Sequence, residues 1–341
     1  MSAIGLPFNP LRDRLYSRRD LFEGLSTKDP KSYAGCADIA ILSYFAKYGR
    51  NSSGDVRSAA AMEALHDNSI TLATNELLRS QEKVVAIMGG HGMVRNTEPY
   101  KGVAHLSQKL SGLKFFVASG GGPGAMEATH LGALFAKKSE ESLKEAIVRL
   151  GNKAELPKNI GNLVRADGTI DEDIAAQIHA WLVPAIEICN EVKPDEAGRS
   201  LGVPTWLYGF EPTSPFATDI AKYFQNSLRE DGLVTLATHG IIYAEGSAGT
   251  VQEIFQDASQ NYYTDFCPMV FLSAPAAPGD HYWEKTLPVR PLIEALLGKK
   301  SGFGKVLFTD SLEQTIEFLA TAPSERITGY GRGIFANTSG F

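Results

Sequence analysis

The sequence predicts an α/β fold: a Rossmann-like parallel sheet with helices on both faces, a helical N-terminal extension and a helical insertion. Three observations point there. From about residue 83 onward, short runs rich in β-branched and aromatic residues alternate with stretches of helical periodicity. These runs are apolar throughout, as strands covered on both faces are. Two of them end in a burst of glycine where a helical pattern begins: "KFFVASGGGPGAMEATHLGA" (114–133) and "HGIIYAEGSAGTVQEIF" (239–255).

The elements follow in chain order. Residues 1–82 are expected to form the helical extension. In it "DIAILSYFAKY" sets Ile41, Tyr44, Phe45 and Tyr48 at helical spacing, and "SAAAMEALHDNSITLATNELL" is Ala/Leu-rich without internal Gly or Pro. Residues 83–322 form the predicted Rossmann-like domain. Its expected strands are "KVVAIMGG" (83–90), "KFFVAS" (114–119), "VPTWLYG" (203–209), "GIIYA" (240–244), "PMVFL" (268–272) and "KVLF" (305–308). Helices are expected around 97–111, 123–137, 215–229, 249–262 and 285–297. Segment 138–200 is too long for an ordinary crossover, so it is expected as a helical insertion, either a lid or an oligomer contact. Residues 323–341 form a C-terminal tail.

Composition narrows the function. The 341 residues include 39 acidic and 33 basic, a formal net charge of −6, which argues against nucleic acid as a partner. A small anionic ligand stays open, because a few amides and one Arg can bind a phosphate. Cys36, Cys189 and Cys267 are odd in number and lack a CxxC, so a disulfide framework or zinc site is not expected. No apolar run suits a signal peptide or a membrane span, and a cytoplasmic setting is expected. The histidines show neither HxH nor HExxH spacing, so no metal is expected. Pyridoxal chemistry would need a Schiff-base Lys, and neither glycine turn holds one. No cofactor is expected.

Glycine at a strand–helix junction lets a ligand approach backbone amides at the positive end of a helix dipole. Gly120, Gly121, Gly122 and Gly124 offer such a turn, and so do Gly246, Ser247, Gly249 and Thr250. Each is either an anion site or a plain structural turn. In the second, Thr250 and Glu253 also fit a capping box. GxxxxGK[ST] is absent, and no acidic residue closes the next strand as a dinucleotide site requires. Two such turns on one parallel sheet could face each other across one crevice.

"SGGGPGAMEATHLGA" with "GSAGTVQE" resembles the paired glycine motifs of the LOG-type phosphoribohydrolases, often mislabelled lysine decarboxylases. With "GGHGMVRNTEPY" and "EPTSPF" added, residues 83–320 look closest to the bacterial nucleotide 5′-monophosphate nucleosidases. The resemblance implies hydrolysis of a nucleoside 5′-monophosphate to free base and ribose 5-phosphate, in a homodimer or larger assembly. It implies phosphate and substrate contacts from Gly120, Gly121, Gly122, Gly124, Glu127, Gly246, Ser247, Gly249 and Thr250. Glu253 matches the motif glutamate that acts at the ribose. Arg229 lies about one residue from the place of the catalytic arginine, and Glu230 follows it where a Lys is usual. Glu245 replaces the motif proline. It either points away from the phosphate, pairing with a cation such as Arg229, or excludes phosphate. His91 is a titratable proton-donor candidate or a plain loop histidine, and Arg95 a second anion contact or a solvated cation. Two alternatives share these motifs: a nucleotide-binding or sensing module without chemistry, and a cytokinin-activating phosphoribohydrolase.

Overall fold

The computed structural model describes residues 5–49, 56–207, 211–275 and 279–322. Valine and isoleucine runs give seven strands: β1 (Val84–Met88), β2 (Phe116–Ser119), β3 (Ser200–Gly202), β4 (Asp219–Ile220), β5 (Gly240–Tyr243), β6 (Met269–Leu272) and β7 (Val306–Thr309). They form one sheet in the order β4-β3-β2-β1-β5-β6-β7, every neighbouring pair parallel. The chain winds outward from β1 to β4, then returns to the other side of β1 with β5. β1 and β5 therefore flank the switch point, where ligands of open α/β sheets bind beyond the strand ends.

The helices are α1 (Arg18–Leu21), α2 (Ala37–Tyr48), α3 (Arg57–Arg79), α4 (Glu98–Gly112), α5 (Ala125–Leu134), α6 (Glu140–Gly151), α7 (Glu172–Glu191), α8 (Asn226–Leu236), α9 (Ala248–Tyr263), α10 (Arg290–Leu297) and α11 (Leu312–Thr321). Successive strand residues feed opposite layers. Val85 and Ile87 enter the core beneath α4, α5, α6 and α11, while Val84, Ala86 and Met88 enter the core shared with α2, α3, α8, α9 and α10. The N-terminal extension is thus part of the main core. Tyr16 also continues the sheet edge, exchanging backbone hydrogen bonds with Ile220 (3.0 and 2.8 Å). Within segment 138–200, α7 buries Trp181 and Leu182 in one core and Ile188 and Cys189 in the other. Among the described residues, no helix is long and apolar enough to cross a membrane.

Two expected elements are displaced. The third strand is Ser200–Gly202, not 203–209. Of that stretch, 208–209 lie outside the described residues; Thr205 makes an isolated parallel bridge to Tyr223, and Trp206 turns its indole into the core to donate to Asp38 Oδ1 at 2.8 Å. Its aromatic character serves the core, not a ladder. The helix expected at 215–229 begins only at Asn226, and strand β4 precedes it. Phe216 fills one layer while Ile220, Tyr223 and Phe224 fill the other, which mimics helical periodicity.

Candidate active site

The loop after β1 is sewn between the two glycine turns. Gly90 N–H donates to the Glu245 carbonyl at 3.0 Å, and Ala125 N–H donates to the Gly90 carbonyl at 3.1 Å. This closeness depends on missing side chains. A Cβ on Gly124, at φ 73°, would strike the Gly90 carbonyl, and one on Gly246 would strike Thr250 Oγ1. Behind the first turn, buried His130 meets the Gly120 carbonyl with Nε2 (2.8 Å) and Ser200 Oγ with Nδ1 (3.0 Å). Burial lowers its pKa to about 4. The neutral ring therefore donates from Nε2 to the carbonyl and accepts from Ser200. His130 thus holds the turn in place, a role that no motif or spacing marks.

α9 begins at Ala248, with Ser247 at its N-cap and no side-chain cap bond. That register rules out the Thr250/Glu253 capping box. The first-turn amides of Ala248, Gly249 and Thr250 precede the earliest intrahelical bond, from Val251 N–H to the Ser247 carbonyl (3.0 Å). Glu253, one turn further, is 8% exposed and directs Oε1 to within 3.6 Å of Arg229 Nη1. Burial raises its pKa to about 7, against the pull of Arg229 and with help from Glu230 and Glu211. Desolvation outweighs the ion pair here, because 3.6 Å lies beyond a close charge-assisted contact.

Arg229 is held by its own helix. Asp67 accepts from the amides of Phe224 (2.9 Å) and Gln225 (3.0 Å), fastening the chain just ahead of α8. Arg229 Nε donates to the Val203 carbonyl at 3.3 Å, and Nη2 lies 3.0 Å from where a Cβ on Gly120 would stand. The guanidinium thus spans from the first glycine turn to Glu253. Glu230 is turned elsewhere, accepting from Asn226 Nδ2 (2.5 Å) and Gln252 Nε2 (2.9 Å). Since Arg229 is the charge that lowers the Glu253 pKa, Arg229→Met should raise it further. The acid limb of any Glu253-dependent activity is expected to move to higher pH; an unmoved limb in a pH–rate profile would show that the two side chains do not interact.

Other residues singled out in the sequence lie elsewhere. Arg95 and Glu127 form a buried bidentate pair (Nε–Oε2 2.7 Å, Nη2–Oε1 2.5 Å), with Tyr100 Oη donating to Glu127 at 3.0 Å. Arg95 also donates to the Trp181 carbonyl (2.8 Å) and stacks over the Trp181 ring at 3.6 Å. Both charges are consumed in joining α5, α7 and the loop after β1, so neither is presented to a ligand. Glu245 points away from the turn, with Oε1 accepting from Ala274 N–H at 2.8 Å. Arg229 faces Glu253 rather than Glu245. His91 is exposed, its Nδ1 3.8 Å from Glu211 Oε1. Glu211 itself is a site residue to which no spacing pointed.

Asp38 ties the segment after β3 to α2. It accepts from Thr213 Oγ1 (2.8 Å) and Lys222 Nζ (2.7 Å), and Lys222 also reaches Thr213 Oγ1 (2.7 Å). Next to Thr213, Ser214 donates its amide to the Gly121 carbonyl at 2.7 Å. Its buried hydroxyl has no partner among the described residues. A separate cavity of about 530 Å3 opens by α4 and α6, lined by Met93, Val103, Ile147, Glu245 and Leu272 among others. Neither Glu253, Arg229 nor Glu211 reaches it.

No family model matches the chain, and no curated protein does. Among solved structures it is similar to the molybdenum cofactor binding protein of the phototrophic bacterium Rippkaea orientalis, at 13% identity and TM-score 0.41, over 71% of this chain and 97% of that one. It is also similar to the molybdenum cofactor carrier protein of Chlamydomonas reinhardtii, at 13% identity and TM-score 0.39, over 70% and 99% of the two chains.

Proposed function

We propose that the protein hydrolyses the N-glycosidic bond of nucleoside 5′-monophosphates to free base and ribose 5-phosphate. The observation that supports this best is the meeting of both glycine turns at the β1/β5 switch point, with Arg229 and Glu253 facing each other beside them. The first-turn amides of α9 suit a phosphate, since they are unspent donors at a helix N-terminus. Ser214 adds a hydroxyl without a partner among the described residues, beside Gly121. Glycosidic cleavage passes through an oxocarbenium-like state, which an adjacent carboxylate stabilises while it orients water. A carboxyl with a pKa near 7 is divided between its two forms at neutral pH and can both take and return a proton. Arg229 keeps its proton and acts by charge and position. A homodimer or larger assembly belongs to the same proposal through the motif resemblance, and a cytoplasmic setting through the cysteine pattern and the N-terminal sequence.

The test is incubation with a panel of nucleoside 5′-monophosphates and their nucleosides, with and without chelator, followed by chromatography. Base release from at least one monophosphate, undiminished by chelator, is expected. Preference for the nucleoside would contradict the substrate class, and binding without release would favour a nucleotide-sensing module.

A further inference from the structure

Glu211 opens the segment "EPTSPF" (211–216) after β3. Its carboxylate lies over the first glycine turn, with Oε2 3.0 Å from where a Cβ on Gly122 would stand and Oε1 3.8 Å from His91 Nδ1. The segment is fixed just downstream of Glu211, by Thr213 on Asp38 and by Ser214 N–H on the Gly121 carbonyl. Groups from every surrounding element face Glu211. They are His91 from the loop after β1, Arg229 from α8, Lys222 from the stretch before α8, and Glu253 from α9. Asp38 of α2 and Tyr33 line the small space behind it. Burial pushes the Glu211 carboxyl above the usual carboxylate range, against the pull of Arg229, His91 and Lys222.

Resting on the reaction proposed above, we infer that Glu211 is the general acid that protonates the departing base, opposite Glu253 as base. Two carboxyl groups serving one glycosidic bond take different parts, and here position decides them. Glu253, one turn into α9, faces the Arg229 guanidinium, whose charge favours its carboxylate form. Glu211 stands beside His91, whose side chain is 55% exposed and able to resupply a proton from solvent. In the step, a water oxygen bonds to C1′ while Glu253 takes its proton. The C1′–N bond breaks, its electron pair passes to the base nitrogen, and that nitrogen takes the proton from Glu211. Glu211 is reprotonated from solvent through His91, and Glu253 returns its proton to solvent.

The experiment compares wild type with Glu211→Gln on two substrates: a nucleoside 5′-monophosphate that wild type cleaves, and p-nitrophenyl ribofuranoside 5-phosphate, whose phenolate leaves without a proton. On the nucleotide, kcat is expected to fall about 100-fold or more, and the alkaline limb of its pH profile to vanish. On the activated substrate the variant is expected to match wild type, which also shows that it is folded. An equal loss on both substrates, or no loss on the nucleotide, would overturn the role of Glu211. A wild type that cleaves neither compound would overturn the hydrolytic reaction itself, and the acid role with it.

Discussion

Glu253→Gln is expected to lower kcat by about 100-fold or more while leaving nucleotide affinity within about tenfold. Glutamine keeps the size and hydrogen-bonding reach of the side chain, but it can neither bear charge beside an oxocarbenium-like state nor take a proton from water. Stability should respond in a characteristic way. The folded-state pKa of about 7 lies above the ordinary value of 4.5, so the folded protein keeps this proton where the unfolded chain has lost it. The stabilisation is complete below the unfolded value and is lost as pH rises through about 7. Its size is at most about 3 kcal/mol. The variant lacks this term, so its melting temperature should gain on that of wild type between pH 4.5 and pH 8. Lost turnover without this pH-dependent gain would mean that Glu253 is not held in a desolvated site.

Glu127→Gln is expected to act on the fold instead, costing about 3–5 kcal/mol, because it leaves the Arg95 charge buried without its carboxylate. The Trp181 carbonyl and ring still contact Arg95, yet neither carries a full countercharge. Thermal melts should show the loss, while KM of the folded fraction stays at the wild-type value. A stable variant with a raised KM would instead assign Glu127 to substrate. For nearby titratable residues the two substitutions should therefore separate, one striking turnover and the other stability.

The sheet and both glycine turns could be read from sequence because their signals are local. "FFVAS" followed by "GGGPG", and "GIIY" followed by "AEGSAG", announce buried parallel strands ending in open turns. The two displaced elements failed for a physical reason. β3 has three residues and β4 two, too short for any periodicity, while the aromatic residues around them pack into layers without regular structure. Site chemistry divides along the same line. Glu253 is recognisable from its motif, but only the start of α9 shows that it does not close a capping box. Arg95 and Glu127 stand 32 residues apart, and only folding reveals that they neutralise each other. Glu211 gains its meaning from the Gly120–Gly122 turn and Arg229, neither of which is near it in sequence.

On the proposed function, the paired turns hold a nucleotide for glycosidic cleavage by Glu253. The most direct test is quantitation of free base and ribose 5-phosphate from one nucleoside 5′-monophosphate, in parallel with binding, for wild type and Glu253→Gln. Equal amounts of both products from wild type, and binding without either product from the variant, are the expected result. Nucleotide bound by wild type with neither product formed, or equal turnover by both proteins, would contradict it.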